Sequence, residues 1–235
     1  MKKKILFVVP SLTQTNGIPS FLVNYIKNID LKKFEITILS SNLRPSINYI
    51  EFFKKNNIDY YFTNDLRRDG LKKYYQSLKK FFKEHHAFDL VYSNVANQSA
   101  FIFYLAKKFG ITKFAIHSHA TMSSSNRIRK IINNILTNVV IHQTKNYFAC
   151  SELAGKYMFK NRKFIVINNA IDYSIFKFSM QNRDEIRKQY HFDENDIIIG
   201  YVGRFAAQKN IYFFIDFMKK CDNQYKLMMI GDGPL

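Results

Sequence analysis

Lys4-Ile-Leu-Phe-Val-Val9, a helix-period stretch from Pro19 to Ile29, and Phe34-Glu-Ile-Thr-Ile-Leu-Ser40 follow one another at the start of the chain. The two apolar runs are too short for buried helices and rich in β-branched and aromatic residues, so each predicts a buried strand. The same alternation continues outward. Further strands are expected at Asp59–Phe62, Asp89–Ser93, Lys113–His117, Asn146–Cys150 and Phe164–Ile167. Helices are expected between them at Ile47–Asn56, Leu71–His85, Asn97–Phe109, Ser125–Ile141 and Ser151–Lys160. Strand and helix in strict alternation imply an α/β fold with a doubly wound parallel sheet covered on both faces. Ligands of such sheets gather at the carboxyl ends of the strands.

After Ile167 the pattern gives way to Asn168-Asn-Ala-Ile-Asp172, a polar connection and a charged helix around Arg183–Gln189. A second alternation opens with a strand at Asp196–Val202, a helix from Asn210 to Lys220 and a strand at Tyr225–Ile230. The expected organisation is a Rossmann-like domain over 1–172, a linker over 173–195 and the first part of a second Rossmann-like domain over 196–235. Two strands and one helix do not make an independent core, so the chain is expected to be truncated within that domain.

With 47% hydrophobic residues in 235, the chain can bury a real core, which excludes a disordered protein. No apolar run approaches the roughly 20 residues that cross a bilayer. The opening Met-Lys-Lys-Lys is followed by an apolar run that stops at Pro10 with no small-residue cleavage site, so it reads as a first strand of a cytoplasmic protein rather than a signal peptide. Cys150 and Cys221 have no metal-type spacing and fit a reducing compartment. Of the net charge of +18, all but one unit falls in residues 1–175, with 27 Lys+Arg against 10 Asp+Glu. Such a surface favours an anionic partner, a membrane surface or a nucleic acid, although lysine-filled solvated faces alone give the same excess. No nucleic-acid-binding signature accompanies the basic residues, which ranks nucleic acid last.

The most informative motif is Gly200-Tyr-Val-Gly203-Arg204-Phe-Ala-Ala-Gln208-Lys209-Asn210, paired with Ile230-Gly231-Asp232-Gly233-Pro234-Leu235. A strand runs into a glycine and two cations, Arg204 and Lys209, at the expected start of a helix, where anions are favoured. Arginine offers a planar fork to phosphate oxygens and lysine a compact charge. Together with Thr15-Asn16-Gly17-Ile18, His117-Ser-His119, Ala149-Cys-Ser151-Glu152 and Asn168-Asn169-Ala170-Ile171-Asp172, these residues resemble the retaining GT-B glycosyltransferases of the glycosyltransferase 4 type, above all those of bacterial capsular and exopolysaccharide synthesis.

The resemblance implies transfer of a sugar, with retention, from a nucleoside diphosphate sugar to a saccharide acceptor that is lipid-linked (polyprenyl diphosphate), without a metal or cofactor. Uridine is expected as the base rather than guanosine. Arg204 and Lys209 would stabilise the leaving diphosphate, and Gly17, Gly203, Gly231 and Gly233 would let backbone approach the donor. His119, just beyond a strand end, would touch the reacting sugar or the acceptor. Asn16, His117, Ser151 and Asn169 are further expected contacts to acceptor or sugar, with packing the competing role of His117 and an N-cap that of Ser151. Asn16 and Pro19 stand where relatives carry a glycine and a glutamate. Asn168 and Ala170 depart from the family's Pro-Asn-Gly-Ile-Asp hinge, and a positive φ at Ala170 would cost about 1–2 kcal/mol. The family's pair of glutamates separated by seven residues would lie past residue 235, so this chain alone is expected to be deficient in catalysis.

Ile128, Ile131, Ile132, Ile135, Leu136, Val139 and Val140 recur at helical spacing and read as a core face. Arg127, Arg129 and Lys130 in the first turn oppose the helix dipole, which points to an anionic partner. A basic first domain in such enzymes docks on the inner membrane leaflet, so the expected location is cytoplasmic and peripheral. The rival class is a non-catalytic module that binds anionic membrane or polysaccharide intermediates.

Overall fold

The computed structural model describes residues 1–13, 17–41, 45–121 and 126–235. They form two compact units, Met1–Ile171 and Asp172–Leu235. In the first, strands β1 (Lys3–Val9), β2 (Phe34–Ser40), β3 (Asp59–Phe62), β4 (Leu90–Ser93), β5 (Phe114–Ser118), β6 (Asn146–Ala149) and β7 (Ile165–Val166) make one sheet in the order β3-β2-β1-β4-β5-β6-β7. Every pairing is parallel, with Val8 opposite Leu39 on one side and Ser93 on the other.

Alternation along each strand divides the core into two layers. Leu6, Val8, Leu39, Val91 and Ile116 face helices α3 (Leu66–Glu84), α4 (Ser99–Lys108), the end of α5 (Arg127–Gln143) and α6 (Glu152–Phe159). Phe7, Val9, Ile36, Ile38 and Tyr92 face α1 (Gly17–Lys27) and α2 (Ile47–Lys55). This is the doubly wound α/β architecture expected from the alternation. α3 is bent at Gly70, whose φ of 82° breaks the helix and leaves a separate first turn capped by Asp65.

The apolar stripe of α5 does not form a core face. Ile128, Ile131, Ile132, Ile135 and Val139 are exposed, Leu136 is half-buried, and only Val140 and Ile141 are buried. Periodicity shows that a stripe exists, and here the described residues cover only its last turn.

On α6, a Cβ at Gly155 would collide with the Phe164 ring, which leans on Phe159. Gly155→Ala is expected to cost about 1–3 kcal/mol in urea unfolding, the range for overpacking, and a further Phe164→Leu to recover most of it. A Gly155→Ala chain as stable as the parent would mean that the ring moves aside freely.

In the second unit, β8 (Ile197–Val202) pairs in parallel with β9 (Tyr225–Ile230), connected through α9 (Ile211–Met218). The stretch 173–195, read from sequence as a linker, carries α7 (Tyr173–Phe176) and α8 (Met180–Gln189) and groups with this unit. The Arg187 guanidinium donates to the carbonyls of Asp193 and Asp196, and Arg183 pairs with Glu194 at 2.7 Å, which ties α8 to the approach to β8.

Candidate functional site

Strand order reverses between β1 and β4, so crossovers leave in opposite directions and a crevice opens beyond their carboxyl ends. Asn94 sits at this point, 3% exposed. Its backbone N–H donates to the Val8 carbonyl at 2.8 Å and its Nδ2 donates to the same oxygen at 3.2 Å. Oδ1 is thereby turned the other way, where it meets His119 Nε2 at 2.9 Å. An amide oxygen only accepts, so His119 carries its proton on Nε2 and presents Nδ1 as an acceptor.

His119 follows β5 directly. Its ring stacks on His117, centroids 4.1 Å apart, and both rings meet the edge of Phe21 on α1, at 5.3 and 5.0 Å. His117 has no solvent exposure, and its Nδ1 bonds the Tyr92 hydroxyl at 3.0 Å. Its Nε2 meets no partner at bonding geometry among the described residues, although the nearby Ala149 carbonyl favours a proton there. Burial, with His119 adding to it, lowers the His117 pKa to about 3; burial lowers that of His119 to about 4. Both imidazoles are neutral at pH 7. His117 stacks on its neighbour from inside the core, and His119, just past the carboxyl end of β5, is the half-buried member of the pair.

The intervening Ser118 points to the other face, where its hydroxyl donates to the Ala154 carbonyl at 2.9 Å. The Ser151 hydroxyl caps α6 by accepting from Ala154 N at 3.2 Å. Gly17 opens α1, and a Cβ there would meet open space. Asn16 lies outside the described residues. Asn169 is exposed beside Ala170, whose carbonyl accepts from Asn24 Nδ2 at 3.1 Å. Ala170 does not take a positive φ, so the strain considered from sequence does not arise.

In the second unit, α9 starts at Ile211, one residue later than expected, because Asn210 takes the left-handed conformation at φ 48°, ψ 51°. Lys209 therefore ends a single 3-10 turn just outside the helix, and Arg204 lies in the loop after β8. Both side chains are exposed. Gly203 N donates to the Ile230 carbonyl at 3.0 Å and Phe205 N to that of Asp232 at 2.9 Å, so the two motif loops lie against each other. A Cβ at Gly231 would strike the Gly203 carbonyl and one at Gly233 that of Phe205. These two glycines let backbone pass backbone. Among the described residues there is no cluster of three metal-ligating side chains.

Asn94, Tyr92 and Phe21 were not singled out from sequence. The signal for Asn94 was a polar Ser93-Asn94 pair closing a strand on the ligand-binding edge.

No family model matches the chain. Along its whole length it is 22% identical to the putative glycosyltransferase EpsF of Bacillus subtilis, over 63% of that protein. The solved structure of Anabaena HepE, in complex with UDP and glucose, superposes on 98% of the chain with a TM-score of 0.76 at 17% identity. The fold is that of the GT-B glycosyltransferases. A second GT-B neighbour, the lipopolysaccharide outer core galactosyltransferase WaaB, matches 98% of the chain with a TM-score of 0.61 at 16% identity. The chain spans 61% of the length of either GT-B structure.

Proposed function

We propose that the chain belongs to a glycosyltransferase that moves a sugar, with retention, from a UDP-sugar to a lipid-linked saccharide acceptor in surface polysaccharide synthesis, on the cytoplasmic face of the membrane. The carrying observation is the His119–Asn94 pair at the switch point of a sheet whose fold is shared with HepE, a protein seen with UDP and glucose. Neutral His119, oriented by Asn94, offers Nδ1 to a hydroxyl of the sugar or acceptor. In a retaining reaction the leaving phosphate oxygen takes the acceptor proton, so the histidine need not act as a base. Arg204 and Lys209 neutralise the departing diphosphate, with no metal or cofactor. The exposed apolar stripe of α5, flanked by Arg127, Arg129 and Lys130, supports contact with an anionic membrane. That stripe also favours a second reading, a non-catalytic membrane-binding module, which sugar transfer by the full-length protein would exclude.

Titration calorimetry with UDP, GDP and their sugars tests the donor site. Charge-assisted hydrogen bonds contribute about 1.5–3 kcal/mol each, so Arg204→Ala with Lys209→Ala is expected to weaken UDP binding at least about tenfold. UDP binding that both substitutions leave untouched would remove these residues from the donor site.

A further inference from the structure

A second cavity opens on the opposite face of the same strand ends. Its volume is about 650 Å³, within the range of small-molecule sites, and Ser118 and Ala120, the residues on either side of His119, line it. Arg67 from the first turn of α3 and Arg129 from the first turn of α5 border it, with Asn97 and Asn133 between them.

Both arginines are held in place through their backbone: Arg67 N donates to Asp65 at 2.8 Å and Arg129 N to the Asn126 side chain at 3.0 Å. Their guanidinium groups enter no ion pair among the described residues, whereas the adjacent Arg68 is engaged by Asp69 at 2.9 Å. A cation in a first helical turn opposes the helix dipole, so Arg129 gains nothing from its own helix, and Arg67 sits on the isolated turn before the break at Gly70. Asn97 Nδ2 donates to Asn133 Oδ1 at 2.5 Å, which leaves the Asn133 amide N–H groups as donors. Two guanidinium forks and an amide donor are the chemistry of a phosphate site.

Ile132 lines the cavity and is also part of the exposed stripe of α5, 49% exposed, continuing through Ile128, Ile131, Ile135 and Val139. At 1.5 Å per residue, Ile128 to Val139 offers about 16 Å of apolar track. Cationic cleft and apolar track are thus continuous, which suits one molecule carrying a phosphate and a long apolar chain.

We propose that this cleft holds the phosphate of the lipid-linked acceptor through Arg67 and Arg129, with its hydrocarbon chain laid along α5. The inference rests on the glycosyltransferase reading for the ligand's role, but its binding chemistry is testable separately.

Calorimetry on the whole chain with UDP, inorganic pyrophosphate and farnesyl diphosphate distinguishes the possibilities. Farnesyl diphosphate is expected to bind at least about tenfold tighter than pyrophosphate. Arg67→Gln with Arg129→Gln should weaken both by about tenfold or more and leave UDP unaffected. The triple variant Ile128→Ser, Ile131→Ser, Ile135→Ser should erase only the preference for the farnesyl compound; all five positions are exposed, and thermal melts check that the variants fold. Equal affinity for pyrophosphate and farnesyl diphosphate would overturn the apolar track and leave a site for free phosphate. Farnesyl diphosphate binding lost only with Arg204→Ala and Lys209→Ala would overturn the cleft as its site. Failure of UDP to bind, with the Arg67 and Arg129 effects intact, would count against the donor reading and not against this one.

Discussion

Lowering the pH from 7 to 5 is expected to remove up to about 4 kcal/mol from the stability of the first unit through His117 and His119 alone. The pKa values are depressed in the fold, to about 3 and about 4, against about 6.5 for an unfolded histidine. Below pH 6.5 the unfolded chain therefore binds protons that the folded chain refuses. The contribution is complete above that pH and is lost as pH falls toward the folded values. At about 1.36 kcal/mol per pH unit for each group, the 1.5 units down to pH 5 amount to about 2 kcal/mol per histidine. Asp69, held low by the Arg68 hydrogen bond, and Asp89, held low by Lys4 N–H, act in a more acid range. Urea unfolding at both pH values, for the parent and for His117→Gln with His119→Asn, isolates the effect because the other histidines are common to both proteins and cancel. An equal pH slope in the two proteins would mean that the pair protonates within the fold.

Gly233→Ala is expected to abolish UDP binding while leaving the melt of the first unit unchanged. The new Cβ would meet the carbonyl oxygen, carbonyl carbon and nitrogen of Phe205, and backbone has no rotamer by which to yield. Overpacking ordinarily costs about 1–3 kcal/mol. That is enough to detach the 231–235 segment from the loop carrying Arg204, since single hydrogen bonds such as Phe205 N to the Asp232 carbonyl contribute only about 1 kcal/mol each. Calorimetry and a two-transition thermal scan would check both halves. Retained UDP binding would show that the two loops need not touch to form the site.

The strand positions were legible because a strand buried on both faces leaves an unbroken apolar run, as Lys4–Val9 and Phe34–Ser40 do. His119 was legible because it falls immediately after such a run, on the edge where parallel sheets bind ligands. Its partner was not. Asn94 acts through a long-range bond to Val8 and a turn toward β5, and neither depends on neighbours in sequence. α5 misled for a related reason: the spacing of Ile128, Ile131 and Ile135 reports one apolar side and nothing about what lies against it. The helix around Arg183–Gln189 was legible, but its membership of the second unit was not, because Arg183 and Arg187 find their partners past residue 192, again beyond the reach of local pattern.

The strand order β3-β2-β1-β4-β5-β6-β7 is also an order of arrival. As the chain leaves the ribosome, β2 and β3 add in turn to one side of β1, and β4 to β7 add in turn to the other. No strand has to insert between two already paired, and each nascent strand finds a finished edge as its template. Domains fold as units during synthesis, amino-terminal first, and short-range pairing speeds them. The first unit can therefore assemble vectorially and be complete once residue 171 has emerged, before the loops carrying Arg204 and Gly231 leave the ribosome.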